Sequence, residues 1–176
     1  MAPPPNPPAD DRPLVISLRL DAAAQARFER ERAELFPPGR TQVGAHLTLF
    51  HAVPGAQYDA VVGTLAEVIR RPPLALRVTG LKLLGRGVAY ALESPELRQL
   101  HASWQRQWMA HLTRQDRQPL QPHVTVQNKV APETARATLA RLQAGFIPLE
   151  VRGTAVELWR YDGGPWTPIE DFGFRG

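Results

Sequence analysis

Leu14, Ile16, Leu18 and Leu20 alternate with Val15, Ser17 and Arg19, the two-residue period of a strand with one buried face. Asp21 stands where a helix N-cap belongs, and the spacing predicts a helix through Phe28 to about Phe36, stopped by Pro37-Pro38-Gly39. After a polar loop, a second strand is expected from His46 to Val53. Tyr58, Val61, Val62, Leu65 and Ile69 then recur at helical spacing until Pro72-Pro73 ends the helix and a strand opens at Leu74. The second half reads alike. A strand is expected from Gly87 to Ser94, and then a helix opened by Pro95 with Leu97, Leu100, His101, Trp104 and Trp108 on one face. A polar loop from Thr113 to Pro122 leads to a strand from His123 to Val130 and a helix carrying Ala135, Leu139 and Leu142 up to Gly145. Strands near Pro148 to Tyr161 and from Thr167 to Phe174 flank the Gly163-Gly164-Pro165 turn.

Laid over one another, the halves repeat a strand, helix, strand, helix, strand order, with Val78-Thr79-Gly80 matching Val151-Arg152-Gly153. The expected fold is therefore α+β. It has two lobes built from duplicated β-α-β-α-β units about a pseudo-twofold axis, with antiparallel-rich sheets lining a central groove. Residues 14–176 form one bilobal domain with halves of about 14–86 and 87–174, strand exchange between them being possible. Residues 1–13 contain six prolines and offer no core face, so they are expected to be a disordered tail.

Composition narrows the chemistry. The 176 residues are 43% hydrophobic and 22% charged, which suits one globular domain. The absence of cysteine excludes a disulfide scaffold, cysteine-ligated zinc and a thiol nucleophile. No apolar run reaches the ~20 residues that span a bilayer, and the N-terminus lacks the order of a secretory signal, so a cytoplasmic protein without a membrane partner is expected. Net charge is +4 with a pI of about 10.1, and only Lys82 and Lys129 among the 21 basic residues are lysines. That balance favours anionic partners, and arginine suits bidentate phosphate contacts.

Two short motifs stand in equivalent places of the repeat. His46-Leu47-Thr48 and His123-Val124-Thr125 each open an apolar strand, so each presents an imidazole and a hydroxyl on one face while Leu47, Leu49, Val124 and Val126 bury the other. With 5 histidines and 10 threonines in the chain, only about 0.3 such pairs are expected by chance. Two imidazoles facing one another across a groove can serve as base and acid at the same pH. That arrangement suits phosphodiester cleavage with no metal and no cofactor, the threonine hydroxyls holding non-bridging phosphate oxygens.

Further candidates lie nearby. Lys129 shares the strand face of His123, Thr125 and Gln127 if the strand stays regular, Arg19 and Ser17 sit on the polar side of the first strand, and Trp159 and Tyr161 offer rings to a nucleobase. Lys129, Arg19 and Tyr161 are accordingly expected to bind substrate beside Thr48 and Thr125. The loops before each motif carry Arg40, Arg114 and Arg117. His51 falls on the strand face opposite His46 and is expected to be packed or hydrogen-bonded rather than catalytic. His101, on an apolar helix face, and His111 lack metal-ligand partners at a familiar spacing. The GRG at 85–87 reads as a hairpin turn.

The HLTL at 46–49 and HVTV at 123–126 resemble the paired His-x-Thr-x motifs of the 2H phosphoesterase superfamily, within it the bacterial 2'-5' RNA ligase and 2',3'-cyclic phosphodiesterase branch. The resemblance covers about residues 14 to 174. It implies a bilobal α+β fold, a metal-independent site with His46 and His123 catalytic and Thr48 and Thr125 as phosphate ligands, and RNA or nucleotide substrates with 2',3'-cyclic or 2',5'-linked phosphates. A monomeric hydrolase of this kind is the expectation, with ligation as its reverse reaction. Two other readings stay open: an RNA-binding module without turnover, and a cyclic phosphodiesterase for a small nucleotide such as ADP-ribose cyclic phosphate.

Overall fold

The computed structural model describes residues 10–40 and 43–176, so the proline-rich stretch 1–9 and residues 41–42 of the loop before the first motif lie outside the described residues. Strands and helices follow in the order β1 (Leu14–Leu20), α1 (Ala22–Leu35), β2 (Leu47–Val53), α2 (Tyr58–Leu65), β3 (Leu74–Leu83) and β4 (Val88–Glu93). The order continues with α3 (Pro95–Trp108), β5 (His123–Gln127), α4 (Pro132–Ala144), β6 (Leu149–Tyr161) and β7 (Trp166–Gly173). Every strand pair is antiparallel, giving the expected α+β class. No helix among the described residues is long and apolar enough to cross a membrane.

The helix starts follow from their caps. The Asp21 carboxylate accepts from the Ala24 amide at 3.0 Å and, through its other oxygen, from the Arg152 amide at 2.8 Å, which ties the start of α1 to β6. Ser94 accepts from the Leu97 amide at 3.2 Å ahead of Pro95, which needs no amide partner in the first turn. The helical spacing around Tyr58 ends earlier than its pattern suggests: α2 stops at Leu65 and tightens into a 3₁₀ turn, Ala66–Arg70, leaving Ile69 exposed ahead of Pro72-Pro73.

β6 organises the sheet. The strand order is β2-β1-β6-β3-β4-β5, with β7 also on β6. β1 and β7 both pair with residues 155–160 of β6, so they occupy its opposite edges. Residues 149–153 pair with β3, which continues the edge held by β7, and Gly153 faces Leu20 on one side and Leu74 on the other. A side chain at Gly153 would sit 2.9 Å from a Leu18 methyl carbon, so the buried Leu18 would have to shift to admit one at this crossing point. Val78-Thr79-Gly80 and Val151-Arg152-Gly153, matched in the repeat, lie on neighbouring antiparallel strands, with Leu76 opposite Val151.

One apolar cluster spans the chain, joining Ile16 and Leu18 of β1, Leu47 and Phe50 of β2, Leu76 and Val78 of β3, Trp104 of α3, Val124 and Val126 of β5, and Val156 of β6. β1 departs from the half-buried expectation: Val15 and Ser17 are buried too, because β1 is central and the Trp159 indole covers its polar side, donating to Ser17 Oγ at 2.9 Å. β2 and β5 stand at the two ends of the strand order yet touch each other, so the curled sheet brings its edges, and both motifs, together. The described residues before β1 run along the outside of β6, where the Arg160 guanidinium donates to the carbonyls of Asp10 and Arg12 at 2.9 and 3.0 Å.

Candidate functional site

Burial alternates in step in the two motifs. Leu47, Leu49, Val124 and Val126 are fully buried, whereas His46, Thr48, His123 and Thr125 are half-buried and face outward. The local geometry is also shared. His46 Nδ1 lies 2.7 Å from the Gly44 carbonyl and His123 Nδ1 lies 2.9 Å from the Gln121 carbonyl, in each case two residues earlier. A carbonyl only accepts, so each Nδ1 carries the hydrogen and each neutral ring keeps Nε2 as its open acceptor.

The motifs cross over. A cavity of about 460 Å³ joins His46 to Thr125, with Arg32, Arg40, Asn128 and Lys129 on its walls. Another, of about 300 Å³, joins His123 to Thr48, with His51, Lys82 and Asp116. Each imidazole thus shares a cavity with the hydroxyl of the other motif. Burial pushes the His46 pKa down to about 4, opposed by its bond to Gly44 and reinforced by the positive charges of Arg32 and His123. Burial also lowers the His123 pKa against its bond to Gln121, with Lys82 and His51 acting in the same direction as burial. Both rings are therefore driven toward the neutral form, and each counts the nearby cations as part of its surroundings.

A third cavity, of about 490 Å³, opens on the other side of His46 and is lined by Arg19, Gln25, Glu29, Glu157 and Trp159. The Trp166 ring packs against the His46 ring with centroids 4.7 Å apart, so the β6–β7 hairpin reaches over the first motif. The position of Trp166, just beyond the Gly163-Gly164-Pro165 turn, was the signal for it.

The sequence reading also missed Arg32. It is buried at 7% exposure, donates from Nε to the Val43 carbonyl at 3.1 Å and from Nη1 to the Thr125 carbonyl at 2.8 Å, and lies 4.0 Å over the Phe36 ring. It ties α1 to the loop before β2 and to β5, so one guanidinium spans both motifs. Its trace in the sequence is an arginine on the buried stripe Ala24, Phe28, Arg32 of α1.

The other expected substrate-binding residues fall in different places. β5 does not run on to Val130: it ends at Gln127, whose buried amide donates to Thr138 Oγ1 at 2.9 Å. Lys129 then turns with φ 63°, and its Nζ donates to the Arg40 carbonyl at 3.0 Å within the cavity of His46 and Thr125. Arg19 lies in the cavity of His46 and Trp159, its guanidinium bonded to Glu157 at 3.1 Å and to Asp171. Tyr161 is 41% exposed at the end of β6 and lines none of these three cavities.

For His51 the expected hydrogen bonding holds, while the expected face is corrected. Between Leu18 and Leu14 of β1, β2 runs from Leu47 to Val53 with two extra residues, a bulge that buries Leu49 and Phe50 in succession and turns His51 outward. His51 therefore joins the His123 cavity instead of packing on the far side. Asp116 holds it there, accepting from the His51 amide at 2.8 Å, the Ala52 amide at 2.9 Å and His51 Nδ1 at 3.0 Å. Burial alone would raise the Asp116 pKa, but these donors outweigh it and keep the carboxyl below its ordinary range. His101 behaves as expected of a core histidine, its Nε2 donating to the Leu49 carbonyl at 2.8 Å and its ring stacked on Phe50.

The family model of the 2'-5' RNA ligase superfamily matches residues 20–165. The chain belongs to the 2'-5' RNA ligase superfamily. Members of this superfamily are 2H phosphoesterases, so the chain is an enzyme of that group. Solved structures share the superfamily fold. TT0787 of Thermus thermophilus superposes with a TM-score of 0.65 at 20% identity, covering 93% of this chain and 98% of that one. Escherichia coli LigT complexed with 3'-AMP gives 0.62 at 20% identity, covering 95% and 100%. The same LigT complexed with NADP+ gives 0.57 at 21% identity, covering 95% and 100%. At these identities the likeness concerns the fold alone. No curated protein matches the chain by sequence.

Proposed function

We propose that this superfamily member opens 2',3'-cyclic phosphates, or breaks 2'-5' phosphodiester links, in nucleotides or RNA, with His46 as its base and His123 as its acid. The observation that carries the reading is the crossed pair of motifs: two imidazoles with the same Nδ1-to-carbonyl bond and open Nε2 atoms, each sharing a cavity with the other's threonine. A water attacks phosphorus as the bond to the ribose oxygen breaks. One Nε2 takes the water's proton, and the other ring's Nε2–H supplies a proton to the leaving oxygen, so neither oxyanion leaves bare. His46, the ring with a pKa near 4, starts neutral and takes the role of base. His123 takes up the acid proton when the phosphate anion enters, because a nearby negative charge favours imidazolium. Thr48 and Thr125 hydroxyls hold the non-bridging oxygens.

Substrate beyond the phosphate lies along the flanking cavities. Arg40 and Lys129 line one without a carboxylate, which suits a phosphate chain, and Trp159 supplies an aromatic face in the other. The LigT complexes with 3'-AMP and NADP+ support a nucleotide as the ligand class. The test is a panel of 2',3'-cyclic mononucleotides, 2'-5' dinucleotides and cyclic-ended oligomers, assayed in EDTA. The reading expects turnover of at least one, and a loss of about 10²–10⁴-fold in His46→Ala and in His123→Ala with binding retained. Binding without turnover across the panel, or turnover only with added divalent metal, overturns it.

A further inference from the structure

The cavity beside His123 holds a second set of polar groups that the reaction does not use. His51 is fixed through Nδ1 to the Asp116 carboxylate, whose side chain is 1% exposed, while the His51 side chain is 43% exposed. The carboxylate already accepts from the His51 and Ala52 amides and from His51 Nδ1, which leaves Nε2 as the ring's open nitrogen in the cavity that His51 and Asp116 both line. Lys82, from β3, lines the same space and forms no ion pair or hydrogen bond among the described residues. Leu49, Pro119 and Leu120 supply the apolar part of the wall, and Gln115 and Gln121 add polar side chains.

We propose that His51, oriented by Asp116, and Lys82 form a second phosphate subsite, which takes a non-reacting phosphate carried by the substrate on the His123 side of the scissile group. The inference rests on the proposed function. Its basis is the sign of the charges on the His123 flank against those in the cavity of His46 and Trp159, the Arg40 and Lys129 cavity being the other one suited to phosphate. The cavity beyond His46 carries Glu29 and Glu157, and its Arg19 is committed to Glu157 and Asp171, so that flank opposes a further anion. On the His123 flank the one carboxylate is buried and saturated, and the groups open to the cavity are an ammonium and an imidazole. A phosphate presents acceptors only, so His51 meets it as imidazolium, with Nδ1–H on Asp116 and Nε2–H on the ligand. The groups facing His51 are Asp116 from the loop before β5, Lys82 of β3, His123 of β5 and His101 of α3. Of these, Asp116 alone is anionic, and its oxygens are already taken by the His51 and Ala52 amides and His51 Nδ1. The consequence is a preference for nucleotides that carry a phosphate in addition to the one being cleaved.

The experiment compares kcat/KM for adenosine 2',3'-cyclic phosphate with that for its 5'-phosphorylated counterpart, in the wild type, His51→Gln and Lys82→Gln. The subsite predicts a preference of about tenfold or more for the phosphorylated substrate, mostly in KM, lost in both variants. The readout is the ratio of the two substrates within each protein, because Lys82 and His51 also act on His123 and each variant's absolute rate moves with it. Lys82→Gln removes no side-chain hydrogen bond or ion pair among the described residues, so it keeps the test valid if His51→Gln disturbs β2. Equal rates for the two substrates, or a preference that survives both substitutions, overturn the subsite while the phosphodiesterase reading stands. If neither substrate is turned over, the phosphodiesterase reading is decided by its wider panel and the subsite by titrating inorganic pyrophosphate against the histidine ring NMR signals: a response at His51 that Lys82→Gln weakens supports it, and silence at His51 overturns it.

Discussion

Replacing His46 with glutamine tests the electrostatics of the site without any substrate. The His46 ring is held at a pKa of about 4 in the folded chain, mainly by burial, against 6.5 for an ordinary histidine. Because the folded state binds its proton less readily, the unfolded chain carries more protons between these two values, and stability falls as pH drops from about 6.5 to about 4. That separation corresponds to about 3.5 kcal/mol at roughly 1.4 kcal/mol per pH unit, and solvent screening of the partly exposed ring trims it to about 2 kcal/mol. His46→Gln removes the titration, so the variant should gain about 2 kcal/mol relative to the wild type on going from about pH 7 to about pH 4, whatever its offset at neutral pH. His101 and His123 are lowered in both proteins and largely cancel in the difference. Urea unfolding followed by tryptophan fluorescence at several pH values gives the comparison directly. Stability curves that run parallel across that range would refute the burial and cation argument for His46.

Other consequences follow from named contacts. His123→Ala should lose several orders of magnitude on a substrate with a ribose leaving group but only about tenfold on a p-nitrophenyl phosphodiester, which needs no acid, whereas His46→Ala should be equally poor on both; matching losses in His123→Ala would reverse or remove the assigned roles. Asp116→Ala strips the partner from the His51 ring and two amides and should cost about 2–4 kcal/mol in urea unfolding, a loss below about 0.5 kcal/mol counting against its place in the core. Gly87→Ala would push a methyl carbon to 1.8 Å from the Gln127 carbonyl oxygen, where β4 meets β5, so it should destabilise the chain by about 3 kcal/mol and loosen the second motif; amide hydrogen exchange in β5 unchanged from wild type would contradict this.

The elements legible in the sequence were those whose own residues decide them. Asp21, Ser94 and Pro95 announced their helices by capping chemistry, and the alternation around Leu47 and Val124 placed His46, Thr48, His123 and Thr125 on the outward faces they occupy. What the pattern missed depended on partners far along the chain. The bulge of β2 exists only in its register against β1, and it alone turns His51 into the site. Asp116, in a loop that reads as polar and solvated, is buried because β2 supplies its donors. Arg32 is a surface residue by type and a buried clamp by position, since the carbonyls it satisfies belong to the Val43 loop and to β5. Lys129 left the expected strand because the chain turns at φ 63°, a local backbone choice that no side-chain period reports.

The central claim is that His46 and His123 grip one phosphorus between them. It is tested most directly by titrating the protein with adenosine 2'-monophosphate while following both ring signals by NMR. The account predicts that the two rings respond together, that both pKa values rise, and that the change saturates at one phosphate per chain. Separate midpoints for the two rings, or a response confined to one of them, would contradict it.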